Sequence, residues 1–158
     1  MVVAVIHPDV APVLGKLYNK DPKALTFPEL VMAAGRPWGE IDHDKEPWGL
    51  VKVHATNCAA SASCQVLAVS LPYSVLGKWN LSGRELGDPK VREVMDAFRN
   101  KVDHSETSTD KLTQRCFANP IECDVFFSYE SQLGQIDKQI PGAIIVYGDR
   151  VVQADQDT

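Results

Sequence analysis

The chain has 158 residues, 44% of them hydrophobic and 23% charged, with a formal net charge of -5. That length suits one domain with a substantial core, and the composition is that of an ordinary globular protein. Acidic residues are interleaved with Lys and Arg throughout, which argues against a nucleic-acid partner, and the longest apolar runs, such as Ala143 to Tyr147, fall far short of the roughly 20 residues of a membrane span.

Val2 to Ile6 is a β-branched apolar run stopped by Pro8 and reads as a buried strand. Asp9 is placed to cap a helix through Tyr18, and Thr26 with Pro28 repeats that logic for a helix through Ala34, ended by Gly35. From Arg36 to Pro47 the chain is rich in Pro, Gly, Asp and His and is expected to be an exposed loop. Trp38, Trp48 and Trp79 fall in such loops, where tryptophans cover a core edge more often than they wall a ligand.

Leu50 to His54 alternates in the strand manner and leads into Thr56 to Ser63, a run of small and hydroxylated residues opening an apolar helix toward Leu76, which Pro72 is expected to kink or split. Asp88-Pro89 is a cap followed by proline, and Val91, Val94, Met95, Phe98 and Val102 then share one helical face. His104 to Asp110 reads as a polar loop whose hydroxyls cap a helix over Asp110 to Phe117. Two further strands are expected at Asp124 to Tyr129 and Ala143 to Tyr147, separated by a helix over Ser131 to Lys138 and a Pro141-Gly142 turn. Strands alternating with helices predict an α/β fold, an open sheet with parallel pairs and helices on both faces, in one domain over 1–158.

The four cysteines form two close pairs, Cys58 with Cys64 and Cys116 with Cys123, neither with the C-x2-C spacing of a zinc knuckle. Three connectivities are open, the local one being simplest, and disulfides are favoured over buried thiols or a four-thiolate metal site. Disulfides point to export, whereas Met1 leads directly into Val2 to Ile6 with no signal-peptide pattern. A chain that begins inside a longer exported protein reconciles the two.

In open α/β sheets ligands sit beyond the carboxyl ends of strands, at helix starts. Three places qualify. At the first, Thr56, Asn57, Ser61 and Ser63 offer hydroxyls and helix-start N–H groups to an oxyanion or polar solute, with plain helix capping an equal competitor. At the second, His104, Ser108 and Thr109 precede the next helix, although one histidine with no carboxylate at a defined spacing is no catalytic signature. At the third, Tyr129 and Glu130 end an expected central strand, where the tyrosine serves a solute or simply the core. Nucleotide-binding, α/β-hydrolase and zinc-protease motifs are all missing, and a cysteine nucleophile paired with His54 or His104 is disfavoured by the pairing of the cysteines. Asn80-Leu81-Ser82 fits the glycosylation pattern, a match frequent by chance.

The order of segments resembles the second lobe of bacterial extracellular solute-binding proteins, closest to the branch often fused to von Willebrand factor A domains. Pro47-Trp48-Gly49 opening a strand to Thr56, the Ser61-Ala62-Ser63 turn, Asp88-Pro89-Lys90-Val91-Arg92, Val102-Asp103-His104 and Asp124 to Tyr129-Glu130 are similar to that branch's motifs, in the same order, from Val2 to Tyr147. The chain departs from it in lacking most of a first lobe, in Cys64 where glycine is usual, and in Ser105 where tyrosine is usual. The resemblance implies a lobe of a type II periplasmic-binding-protein fold, extracytoplasmic, non-catalytic and without cofactor or metal. Its partners would be a small solute and a membrane transporter or fused domain. The resemblance further implies that Thr56, Ser61 and Ser63 contact the solute at a helix start and that Tyr129 faces the cleft. A fold that has lost its solute and serves as an interaction domain is the alternative.

Overall fold

The computed structural model describes residues 1–148. Five strands, β1 (Val2–Ile6), β2 (Val53–Thr56), β3 (Asp103–Glu106), β4 (Val125–Tyr129) and β5 (Ile144–Tyr147), form one open sheet in the order β3-β2-β4-β1-β5. β2 is parallel to β3 and β4, as strand and helix alternation predicted, whereas β1 is antiparallel to both β4 and β5. Four strands therefore share a direction and β1 runs against them, so its Val2 lies beside Tyr129 and its Ile6 beside Val125.

Alternation of side chains along the strands makes the fold three-layered. Val2, Ala4 and Ile6 of β1 with Val125 and Phe127 of β4 point to one face, against α1 (Ala11–Tyr18), α2 (Phe27–Ala33), α4 (Ala62–Leu76) and α6 (Pro89–Asn100). Val3, Val5 and Phe126 point to the other, against Leu112 and Cys116 of α7 (Thr109–Ala118) and Ile136 of α8 (Leu133–Gln139). Wholly buried Leu14, Leu30, Leu67 and Leu71 each contribute about 1.5–3 kcal/mol of transfer free energy to the larger core.

Local chemistry explains most element ends. Thr26 caps α2 in a reciprocal capping box with Glu29, and Gly35, at φ 76°, turns the chain out of it. Asp88 accepts from the Lys90 N–H ahead of α6, where Val91, Val94 and Phe98 are buried as their spacing predicts. α1 differs slightly from expectation: it starts at Ala11 after Val10, which offers no side-chain cap, and Asp9 lies one residue too early.

Three expectations are corrected. The segment Arg36 to Pro47 is no exposed loop: it contains α3 (Trp38–Ile41) and a 3-10 turn (His43–Trp48), and Trp38 is fully buried. Its indole packs edge-to-face on Trp48, a contact between two residues ten apart that no local pattern announces. The polar stretch at His104 is not a loop but the edge strand β3, held by backbone pairing to β2. Its lack of apolar residues reflects exposure at a sheet edge. Finally, α4 is not split at Pro72 but continues to Leu76, the missing N–H being one lost bond in a helix anchored by buried Leu67 and Leu71. The short α5 (Gly83–Leu86) is capped by Ser82.

Both local disulfides are present, Cys58–Cys64 closing the turn into α4 and Cys116–Cys123 tying α7 to the approach of β4. They suit an oxidising environment. Among the described residues no helix is long and apolar enough to cross a membrane.

Candidate functional site

Because β2 and β4 are parallel with His54 beside Phe126, both strands deliver the chain to the same edge of the sheet, and α4 and α7 begin there. Thr56 ends β2 pointing toward α7, and Ser61 and Ser63 return over it at the start of α4. The result is a cluster of hydroxyls centred on Ser63. Its Oγ lies 2.9 Å from Thr56 Oγ1, 3.0 Å from Ser61 Oγ and 2.5 Å from Thr109 Oγ1 at the head of α7. All four side chains are buried, Thr56 the most and Ser61 the least. A second pair, Thr113 Oγ1 and Ser128 Oγ at 2.8 Å, extends the polar seam between α7 and β4, with Thr113 also donating to Thr109 O.

Helix capping, the plain reading of these residues, accounts for only part of this. Ser61 occupies the N-cap position of α4 but makes no side-chain cap, its Oγ turning to Ser63 instead. Ser108 does cap α7, accepting from the Lys111 N–H, and Asn57 Oδ1 accepts from Ala59 N–H to fix the turn after β2. Proton counting makes the cluster unusual. Four hydroxyls carry four protons, but the three contacts at Ser63 use three, so one proton is left to point elsewhere.

The remaining candidates divide between this edge and its flanks. Tyr129 ends β4 at the same edge, half-buried on the opposite face of the sheet from Ser128, and no hydrogen bond joins it to the cluster among the described residues. Glu130 is exposed, its N–H donating to Met1 O. His104 turns away from the cluster toward α6: Nδ1 lies 2.8 Å from Thr56 O, Nε2 lies 2.6 Å from Phe98 O, and the ring stands edge-to-face on Phe98. With Asn57, Cys58, Met95, Phe98 and Arg99 it lines a cleft of about 360 Å³ between α4 and α6.

Electrostatic features lie away from the hydroxyls. Asp124, at the amino end of β4, is buried and accepts from Trp38 Nε1–H at 3.2 Å and Lys52 N–H at 2.8 Å. Burial pushes its carboxyl above the ordinary value, against those hydrogen bonds and the nearby Lys52 charge. At Asp103 burial also acts upward, but hydrogen bonds from Ser105 and the proximity of His54 outweigh it and hold that carboxyl below the ordinary range. His54 is buried with Nε2 2.8 Å from Glu122 O and Nδ1 without a hydrogen bond, 3.8 Å from Asp103. Among the described residues no group of His, Cys, Asp and Glu is arranged to hold a metal ion.

Sequence reasoning missed Thr113, Ser128 and Asp124 as polar anchors. Ser128 interrupts an apolar strand and Thr113 follows Thr109 by one helical turn, which together were the available signal. Comparison with family models, curated proteins and solved structures finds no match to this chain.

Proposed function

We propose that this chain is a non-catalytic solute-binding lobe, one half of a hinged extracytoplasmic receptor for a small polar solute or oxyanion. The observation that carries the reading is the Ser63-centred cluster at the carboxyl edge of the sheet, where α4 and α7 both begin. Hydroxyls are donors and acceptors at once, so the spare proton can be re-aimed at an anion without moving a charge. The N-terminal dipoles of two helices favour negative charge at the same place. Binding is favoured over catalysis because Ser63 Oγ is surrounded by hydroxyls, with no base against it to take its proton. Closure of a second lobe would expel water and strengthen each of these bonds.

The alternative, a domain that keeps the fold for protein interaction, draws on the burial of the cluster. Calorimetric titration of the chain with phosphate, sulfate, amino acids and sugars separates the two. A solute-binding lobe shows saturable binding weaker than about 1 μM, since a tighter constant asks roughly 8 kcal/mol of half a cleft. No saturable binding of any of these solutes sinks the proposal.

A further inference from the structure

The two disulfides sit in opposite surroundings. Cys116 and Cys123 are both buried in the core beneath α7 and α8. In the other pair only Cys64 is buried, in the first turn of α4, while Cys58 is partly exposed and lines the cleft between α4 and α6. An attacking thiolate therefore reaches one sulfur, Cys58, and the leaving sulfur is the one enclosed by the fold.

The leaving sulfur is well provided for. Cys64 lies at a helix N-terminus, whose dipole favours a thiolate, and His104 Nδ1 is 3.8 Å from its Sγ. Both ring nitrogens of His104 face carbonyl oxygens, Thr56 O and Phe98 O. Carbonyls only accept, so the ring N–H is directed at one of them, and carried on Nδ1 it also lies beside the sulfur that must take up negative charge. Arg99, exposed and 3.7 Å from the Asp96 carboxylate, adds a cation at the rim of the cleft, whose other walls are Asn57, Ala59, Ala68, Met95 and Phe98.

We propose that Cys58–Cys64 is an exchange-active disulfide, opened from the α4/α6 cleft by a small thiol that carries a carboxylate. The thiolate attacks Cys58 Sγ, the Sγ–Sγ bond breaks, and its electron pair leaves on Cys64 as thiolate, giving a mixed disulfide at Cys58. A second thiolate attacks the sulfur of the small thiol in that mixed disulfide and releases Cys58. Two small thiols are thereby oxidised to their disulfide, and the protein disulfide is reduced to two thiols that take up the two protons. His104 is a positioning residue that stabilises the leaving thiolate, and Arg99 orients the carboxylate. The bond that opens closes the turn bearing Ser61 and Ser63, so exchange and the hydroxyl cluster share one loop.

The test is independent of any solute. The oxidised protein is incubated with reduced glutathione or with cysteamine at matched thiolate concentration, quenched by alkylation, and the four cysteines are quantified by peptide mass spectrometry. Cys58–Cys64 opens at least roughly tenfold faster than Cys116–Cys123, and glutathione outpaces cysteamine. H104Q slows opening of Cys58–Cys64, and R99Q slows opening by glutathione and narrows its lead over cysteamine, whose ammonium Arg99 repels. A merely structural His104 gives the opposite sign, because its loss loosens the turn and speeds exchange. Equal opening of the two disulfides, faster opening of Cys116–Cys123, or an unchanged or faster rate in H104Q overturns the proposal.

Discussion

The two ends of the sheet solve the problem of buried polarity in different ways. At the carboxyl end of β2 and β4 the polar groups are neutral hydroxyls gathered on Ser63, each able to reverse its role. At the amino end a single carboxylate, Asp124, accepts from Trp38 and Lys52 and fastens the 36–52 segment to β4. A carboxylate accepts only and carries its desolvation cost wherever it is buried, which suits a fixed anchor. Hydroxyls can be re-aimed at no cost in charge, which suits an edge that exchanges partners. One end holds the fold, and the other carries the hydroxyls on which the proposed ligand site rests.

The sharpest break of this contrast is at the anchor. Asp124→Ala strands the buried Trp38 indole N–H and the part-buried Lys52 N–H, so denaturant unfolding should show a loss of roughly 2–4 kcal/mol, whereas Asp124→Asn, whose carbonyl oxygen accepts both bonds, should be near neutral. A loss as large in Asp124→Asn would show that charge, not hydrogen bonding, holds this end. Its pH dependence has a definite sign. The folded carboxyl is raised, so the folded state binds more protons between the unfolded and folded values, and stability falls as pH rises through that window. Asp103 acts oppositely: its lowered carboxyl contributes stability above the ordinary carboxylate value that is lost as pH falls through the lowered folded value. Unfolding measured across the acid range in Asp124→Asn and Asp103→Asn should remove one slope each, the Asp103 effect being smaller because that side chain is 43% exposed.

At the other end, Ser63→Ala should cost roughly 1–3 kcal/mol of unfolding free energy, more than a lost helix cap, because Thr56, Ser61 and Thr109 all lose their shared partner. Ser61→Ala, which removes one contact and no cap, should cost less than Ser63→Ala. Equal costs would mean that the cluster is no hub. The smallest effect on stability in denaturant unfolding is expected at Tyr129→Phe, a half-buried residue whose hydroxyl makes no bond to the cluster; on the proposed lobe reading it should still weaken solute binding by about 1–2 kcal/mol.

The same contrast marks how far the sequence could be read. Capping and periodicity located α2, α6 and β1 closely, because Thr26 with Glu29, Asp88 with Pro89 and the Val2 to Ile6 run act within their own segments. The meeting of Thr56, Ser61, Ser63 and Thr109 was anticipated in part from the rule that helix starts collect at strand ends. What escaped was decided by partners far along the chain. Trp38 is buried because Asp124, 86 residues later, accepts its indole N–H. His104 belongs to a strand because β2 pairs with it, and its ring serves the α6 side and not the hydroxyls. The reversed direction of β1 likewise has no local signature.

The central claim is that the hydroxyl edge receives a small anion or polar solute. Backbone amide shifts followed by NMR during titration with phosphate, sulfate and a panel of amino acids and sugars test it most directly. The account predicts saturable shifts, with dissociation constants weaker than about 1 μM, concentrated on Ala62, Ser63 and Cys64 at the start of α4 and on Thr109 at the start of α7, with Asp124 and its neighbours unmoved. Saturable shifts confined to other surfaces, or none at the α4 and α7 starts with any of these probes, would contradict it.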